Sequence, residues 1–430
     1  MINRKCAKGV KQDPKTPFPS GGRLESGDHY TLLPPCVSPL PKGEEISLYH
    51  FVCYVFTASL GLYLLLFSVV TAAAVLPEDR ADALYHSYEG GGVEITGPSL
   101  LVLKKFGQSV AVTGNFYVDS VSSASIDVVT TASPYSEERT EYSGSIEYLH
   151  GNSVMSLSYA NSTENDYDAN TASFGISMDM FGNMTTLNLG YSHGWDTVGR
   201  SDIAEFSEEV RRHNYRLGVS QVITKDMILE MNYEGITDEG FLRNPYRQVR
   251  FLDASAPKGY SYDEELYPNT RTSSAVTLRA KHYLPWRAAV SGEYRFFADT
   301  WGIDAHTFKV GYTHPLSGGL LLEGNVRHYT QTAADFYSDL FPFANAQNFM
   351  ARDKELSTFS SNTLGIKVSY DVVKNGWRAI DKGSINLAYD MIWFDYEDFR
   401  DARITGVTPG TEPLYSFSAG VLQLYLSLWF

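Results

Sequence analysis

Beyond residue 107, apolar and polar side chains alternate with a period of two in segment after segment, and helical periodicity is nearly absent. Successive side chains of a strand point to opposite faces, so this alternation predicts strands with one apolar and one polar surface. Between Met227 and Asp238, Met227, Leu229, Met231 and Tyr233 share one face, and Glu230, Asn232, Glu234 and Asp238 share the other. Val290, Gly292, Tyr294 and Phe296 likewise oppose Ser291, Glu293, Arg295 and Asp299. Further on, Leu320, Leu322, Gly324 and Val326 oppose Glu323, Asn325, Arg327 and Gln331. Roughly fourteen such segments follow one another, near 108–119, 139–150, 153–163, 168–180, 184–196, 210–224, 227–240, 270–284, 288–300, 303–316, 320–332, 357–373, 383–397 and 415–430.

The links between these segments are of two kinds. Tight turns such as His150-Gly151-Asn152, Phe181-Gly182-Asn183 and Ser317-Gly318-Gly319 alternate with long polar stretches near 119–138, 197–209, 241–269, 333–356 and 398–414. A soluble β-sandwich or propeller has no reason to sort its connections in this way, whereas an outer-membrane barrel has short periplasmic turns and long external loops. A bilayer leaves no water for unpaired strand edges, so strands cross it only as a closed barrel, and closure fits an even strand number. The expected fold is all-β: a transmembrane, antiparallel, up-and-down barrel of about fourteen strands, with sixteen as the alternative. Tyr191, Trp195, Tyr389 and Trp393 are candidates for its interfacial aromatic girdles. In the last segment Leu422, Leu424, Leu426, Leu428 and Phe430 share one face and Phe430 ends the chain. This row resembles the C-terminal signal by which bacterial outer-membrane proteins are recognised for barrel insertion.

Residues 1–45 are rich in Pro, Gly and Lys without apolar period, and read as a disordered or mis-assigned extension. Within 46–74, the apolar run Phe51–Val70 followed by Ala72-Ala73-Ala74 fits a secretory signal peptide cleaved near Ala74; an uncleaved anchor is the other reading. Residues 75–107, which include Gly90-Gly91-Gly92, are expected to be a periplasmic or plug segment or a further strand, ahead of a barrel over 108–430. No helix follows the triple glycine, so it is not a phosphate loop.

Composition narrows the chemistry. With 35 basic and 50 acidic residues the chain carries a net charge of −15, a poor match for nucleic acid. All three cysteines, Cys6, Cys36 and Cys53, precede residue 54, which removes zinc–cysteine sites, disulfide scaffolds and thiol catalysis from the rest. The mean hydropathy of −0.21 excludes a helical membrane bundle and, taken alone, describes a soluble β protein.

Gly90–Val102, Val121–Ser143, Ile236–Arg250 (ITDEGFLRNPYRQVR), Tyr294–Thr307, Thr330–Pro342 (TQTAADFYSDLFP) and Ala351–Phe359 resemble the proteobacterial family catalogued as domain of unknown function 3570, over about residues 76 to 430. The resemblance implies an outer-membrane-type β protein and supplies no catalytic residues.

Candidate sites follow from parity. It sends Glu230, Glu234, Asp238, Arg279, Lys281, Glu293, Arg295, Asp299, Glu323 and Arg327 to the lumen, with Glu141, Glu147, Asp179, Arg212, Arg216, Lys309, Lys367, Asp371 and Asp390. Opposite charges on neighbouring strands predict ion-pair ladders, which either satisfy one another in a wet interior or tune permeation. Gly190-Tyr191-Ser192-His193-Gly194 matches G-x-S-x-G, but in a strand Ser192 and His193 point to opposite faces. Asp166-Tyr167-Asp168-Ala169-Asn170 opens like a calcium loop, yet Thr171 and Ser177 stand where the motif needs Gly and Glu. The acidic stretches Glu164–Asp168, Asp263–Glu265 and Tyr396–Asp401 read as solvated loops. Histidines 150, 193, 213, 282, 306, 314 and 328 show no metal spacing. No cofactor, metal or enzymatic activity is expected. The expected partners are the outer-membrane bilayer and, during biogenesis, periplasmic chaperones and the barrel-assembly machinery. The leading functional expectation is a channel or passive transporter for small polar or ionic solutes. A plugged barrel serving an envelope assembly comes second, and an outer-membrane hydrolase third.

Overall fold

The computed structural model describes residues 74–123, 125, 126, 130 and 135–430; the expected extension, and the expected leader up to residue 73, lie outside the described residues. The described strands are β1 (Arg80–Gly90), β2 (Val93–Phe106), β3 (Val110–Ser123), β4 (Tyr135–His150), β5 (Ser153–Thr163), β6 (Tyr167–Met180), β7 (Thr185–Gly199), β8 (Ser207–Thr224) and β9 (Met227–Gly240). They continue with β10 (Gln248–Leu252), β11 (Tyr260–Glu264), β12 (Thr270–Tyr283), β13 (Ala289–Asp299), β14 (Asp304–Leu316), β15 (Leu320–Gln331), β16 (Phe359–Val373), β17 (Lys382–Arg400) and β18 (Leu414–Trp429). All but β10 and β11 form one closed antiparallel barrel in chain order; those two pair with each other inside a loop. The barrel therefore has sixteen strands, the larger of the two expected numbers.

The two strands beyond the fourteen legible by alternation are β1 and β2, which occupy the stretch where the sequence left a plug or a further strand open. Their pattern is weak for identifiable reasons. On β1 the outward positions are Ala81, Ala83 and Tyr85, while apolar Leu84 faces inward. On β2, Gly97-Pro98 interrupts the pairing with β3, and any side chain at Gly97 would collide with the Val118 carbonyl. The seam is nonetheless complete: β1 pairs with β18 from Arg80 opposite Trp429 to Gly90 opposite Ala419.

At the end that holds both barrel termini, the connections are tight apart from 374–381 between β16 and β17, as at Gly151, whose φ of 58° suits a two-residue hairpin turn. The five long links lie at the other end, where the connections through Gly91-Gly92, Glu164–Asp166 and Thr300–Ile303 are also short.

Outward positions form an apolar belt. Ile146, Leu157, Phe308, Val310, Val326, Leu364 and Ile366 are each more than half exposed, a surface that water does not tolerate and a hydrocarbon layer does. On β17 the outward row runs Ile385, Leu387, Tyr389, Met391, Trp393, a span that fits the about 9–11 residues of a tilted membrane strand. Aromatics mark both rims. Trp286 and Tyr312 lie at the short-turn end, where Trp286 Nε1 donates to the Tyr312 hydroxyl at 3.2 Å; Tyr159 and Trp195, their rings 6.2 Å apart, lie toward the other. A cation placed in the belt should be costly. Ile366→Arg is expected to destabilise the barrel by about 2–4 kcal/mol in urea-dependent folding into lipid vesicles, while Thr277→Arg on the polar face should have a small effect. Equal costs for the two would refute the assigned faces.

Candidate functional site

The ten charged residues named from parity all lie on the face opposite the belt, and register brings most of them into contact. Arg279 on β12 stands directly between Glu230 on β9 and Glu293 on β13. Its Nη1 donates to Glu230 at 2.9 Å and its Nε to Glu293 at 2.7 Å. Glu234 accepts from Arg216 on β8 and from Arg295 on β13, each at 3.3 Å. Arg295 reaches diagonally across β12 past two short side chains, Ala275 opposite Glu234 and Thr277 opposite Arg295. Arg271 Nε donates to Asp299 at 2.7 Å, and Lys367 to Glu323 at 2.6 Å. Asp238 sits in register between Arg212 and Arg271, and Arg212 itself reaches Asp196 at 3.4 Å. Lys281 and Arg327 stand outside these pairs among the described residues. Such part-exposed pairs stabilise modestly, by about 0–1 kcal/mol each.

The inner wall from β4 to β7 is of a different kind. Ser145 faces Ser158, Ser158 faces Ser173, Ser173 faces Ser192 and Gly175 faces Gly190, with Ser143, Ala160, Thr171 and Gly194 nearby. The middle of this wall thus carries small uncharged side chains, with Glu141 and Asp196 toward the loop end and Glu147 and Asp179 toward the turn end, where the other side of the barrel carries long charged ones throughout. Ser192 of the G-x-S-x-G match belongs to this smooth wall. His193 points outward and stacks on His213, their ring centroids 4.6 Å apart. All seven histidines considered from sequence lie at outward positions, leaving His86 as the described histidine on the inner side, 2.7 Å from Asp119.

The mouth at the long-loop end is covered by a folded cap that sequence reasoning missed. Arg250 on β10, with no exposed surface, donates to Glu412 at 2.6 Å and to Asp339 at 2.7 Å. Arg352 Nη2 lies 2.9 Å from the same Asp339, and its amide donates to Glu265 at 2.7 Å. These charges tie together the loops 241–269, 332–358 and 401–413. Two apolar clusters flank them, one of Tyr267, Trp301, Ile303, Phe336 and Leu356, the other of Ile126, Tyr396, Phe399 and Tyr415. The stretches Asp263–Glu265 and Tyr396–Asp401, expected to be solvated, are therefore partly buried. Glu265 is 1% exposed and Phe399 fully covered, because neighbouring loops supply the arginines and aromatics that compensate them.

Beneath the cap is a cavity of about 1070 Å³. The segment Asp353–Leu356 enters it from the 332–358 loop, opposite Val93 and Val121 of the first strands, and Asp238, Arg271, Arg295 and Tyr329 lie deeper in its wall. Arg247 pairs with Asp353 across it. At its edge Glu137, Glu164 and Asp166 bring carboxylate oxygens within 4.8 Å of one another. Burial, followed by the Glu137 charge, raises the Glu164 carboxyl above its ordinary range. Among the described residues this is the only such acidic cluster, and the sequence pointed to two of its three members, Glu164 and Asp166, through the acidic stretch Glu164–Asp168 that it read as a solvated loop.

The cap is electrostatically built and so should depend on pH. Burial alone would raise the Glu412 carboxyl, but the hydrogen bond from Arg250 and its charge, with local backbone amides, hold it below its ordinary 4.5. A carboxyl lowered in the folded form contributes stability that is complete above the ordinary value and lost as pH falls through the lowered one. Hydrogen-exchange protection in 332–358, taken relative to the intrinsic rate at each pH, should therefore be high from pH 7 to 5 and fall below about pH 4, while strand amides stay protected. Arg250→Met, which strands two buried carboxylates, should open the same segment at neutral pH at a local cost of about 3–5 kcal/mol. Unchanged exchange in both experiments would contradict the ion-paired cap.

Comparison with known proteins adds the following. No curated protein matches the chain. Similar solved structures include a bacterial polysaccharide outer membrane secretin at 7% identity and a TM-score of 0.43, with 81% of this chain and 98% of that one covered. They also include Pseudomonas aeruginosa OccK2 (OpdF), in complex with glucuronate, at 11% identity and a TM-score of 0.40, with 83% and 100% covered. CdiB from Acinetobacter baumannii is similar at 8% identity and a TM-score of 0.43, with 81% and 60% covered. None of these likenesses bears on function. The family described as "Protein of unknown function (DUF3570)" matches residues 125–380, more than half of the sequence. The chain belongs to the DUF3570 family.

Proposed function

We propose that this barrel is a passive channel of the bacterial outer membrane for small polar or ionic solutes, exported by its N-terminal leader and inserted by the barrel-assembly machinery through the row Leu424, Leu426, Leu428 and Phe430. The observation that carries the reading is the divided inner wall. Sixteen strands enclose enough space for water, and the small side chains of β4 to β7 leave that space unfilled beside the charged ladder of β8 to β16. A solute entering from outside passes the cavity under the cap and then meets paired charges, which replace part of its hydration without binding it tightly. No step of bond chemistry is assigned to the inner wall.

A second reading, a binding or structural component of an envelope assembly, draws on the cap, since an ion-paired outer surface suits the presentation of loops. Planar-bilayer recording separates the two. The purified, heat-modifiable barrel should conduct, and Glu230→Gln and Arg295→Gln should each shift conductance or ion selectivity, because each unbalances one rung of the ladder. Barrels that fold and remain electrically silent would overturn the channel and favour the assembly role, for which copurification of a stable envelope protein from detergent is the corresponding result.

A further inference from the structure

The ladder alternates in sign along one row, Glu230, Arg279, Glu293, and then the alternation breaks. Lys309 on β14 lies opposite Glu293, and the residue opposite Lys309 on β15 is a second cation, Arg327. Like charges directly opposite one another on adjacent strands are destabilising. Nothing on the wall relieves this pair. Glu293 is taken up by Arg279, through Nε at 2.7 Å and Nη2 at 2.5 Å. Glu323, two same-face positions along β15 from Arg327, is taken up by Lys367. Among the described residues neither Lys309 nor Arg327 has an ion-pair partner; Arg327 only lies over the Tyr329 ring, 5.3 Å from its centroid. Both cations stand near the middle of their strands, away from the bulk solvent of either mouth.

The wall beside the pair is recessed. The next inward positions are Gly311 on β14, Ser291 on β13 and Asn325 on β15. The Ser291 hydroxyl lies 2.6 Å from where a Cβ on Gly311 would stand, so it occupies the space that the glycine leaves. Lys281, also outside the ion pairs, is in register with Ser291. Three cations and the Ser291 hydroxyl thus border a shallow part of the wall at Gly311, with one carboxylate, Asp390, approaching Asn325 over Gly365 on its far side.

We propose that Lys309 and Arg327 hold one oxyanion group of a permeating solute, a carboxylate or a phosphate, at this recess. The two cations supply charge-assisted hydrogen bonds, the strongest class available to such a group, and the anion removes their mutual repulsion. The role as a station on a conduction path rests on the channel reading; the binding does not.

The test keeps the two apart. Inorganic phosphate and acetate are titrated into the detergent-solubilised barrel by calorimetry, and the same anions are tested as blockers of chloride current in planar bilayers. Two variants are compared with the native chain. Lys309→Gln/Arg327→Gln removes both charges. Arg327→Glu restores alternating sign along the row, so it should fold at least as well as the native chain, judged by gel migration before and after boiling. Both variants are expected to weaken phosphate binding by about tenfold or more, the loss of at least one charge-assisted contact, and to relieve block in proportion. Preference for phosphate over acetate, or the reverse, identifies which oxyanion fits. Binding that is lost in the variants of a silent barrel supports the site and refutes the channel. Conductance with anion binding unchanged in both folded variants, or with no anion binding by the native barrel, overturns the site and leaves the channel standing.

Discussion

Every backbone amide that crosses a bilayer must find its partner within the protein, and the β1–β18 seam is where this chain meets that demand last. Eleven residues of β1 pair along β18, and without them both β2 and β18 would present open edges to lipid. Closure also fixes every side chain, because in a closed ladder a slip of one residue would exchange the belt for the lumen on a whole strand. The apolar rows, the aromatic rims and the charged ladder are therefore consequences of one register, repeated around sixteen strands.

Once the register is set, the inner surface is free to vary, since neither lipid nor a packed core constrains it. It has been used unevenly. The serine and glycine wall contributes little to stability and leaves volume, while the ladder on the other side fills volume with pairs whose net value is small. The cap follows other physics. Its arginines and carboxylates are buried, so each would be costly alone and the set is tolerable only when complete. That makes the cap a unit that forms or opens as a whole.

The fold was legible because alternation survives wherever a strand has lipid on one side and charge on the other. The ten luminal positions from Glu230 to Arg327 could be read in the same way, since parity needs no knowledge of neighbours. β1 and β2 escaped because small outward residues and an inward Leu84 blur the contrast. The cap escaped for a different reason. Arg250 and Glu412 are 162 residues apart, and no periodicity relates positions that meet only after the barrel has brought three loops to one mouth. The signal that did mark them was the family resemblance: Ile236–Arg250, Thr330–Pro342 and Ala351–Phe359 contain Arg250, Asp339 and Arg352, so these blocks trace the cap more than the strands.

The net charge of −15 says little about which ions the lumen prefers, because charge far from the path is screened within about 8–10 Å at ordinary salt. What matters is charge that is both on the path and uncompensated. Under the cap, Arg247 and Arg271 each have an acidic partner, so the entrance is polar but nearly neutral. Deeper in, Lys309 and Arg327 leave a local excess of positive charge inside an acidic protein. An anion can occupy that excess without first displacing a protein carboxylate, whereas at Arg279 it would have to break two ion pairs. Glu293 and Glu323 on either side limit how tightly the anion is held, and a station that must also release its occupant requires that limit.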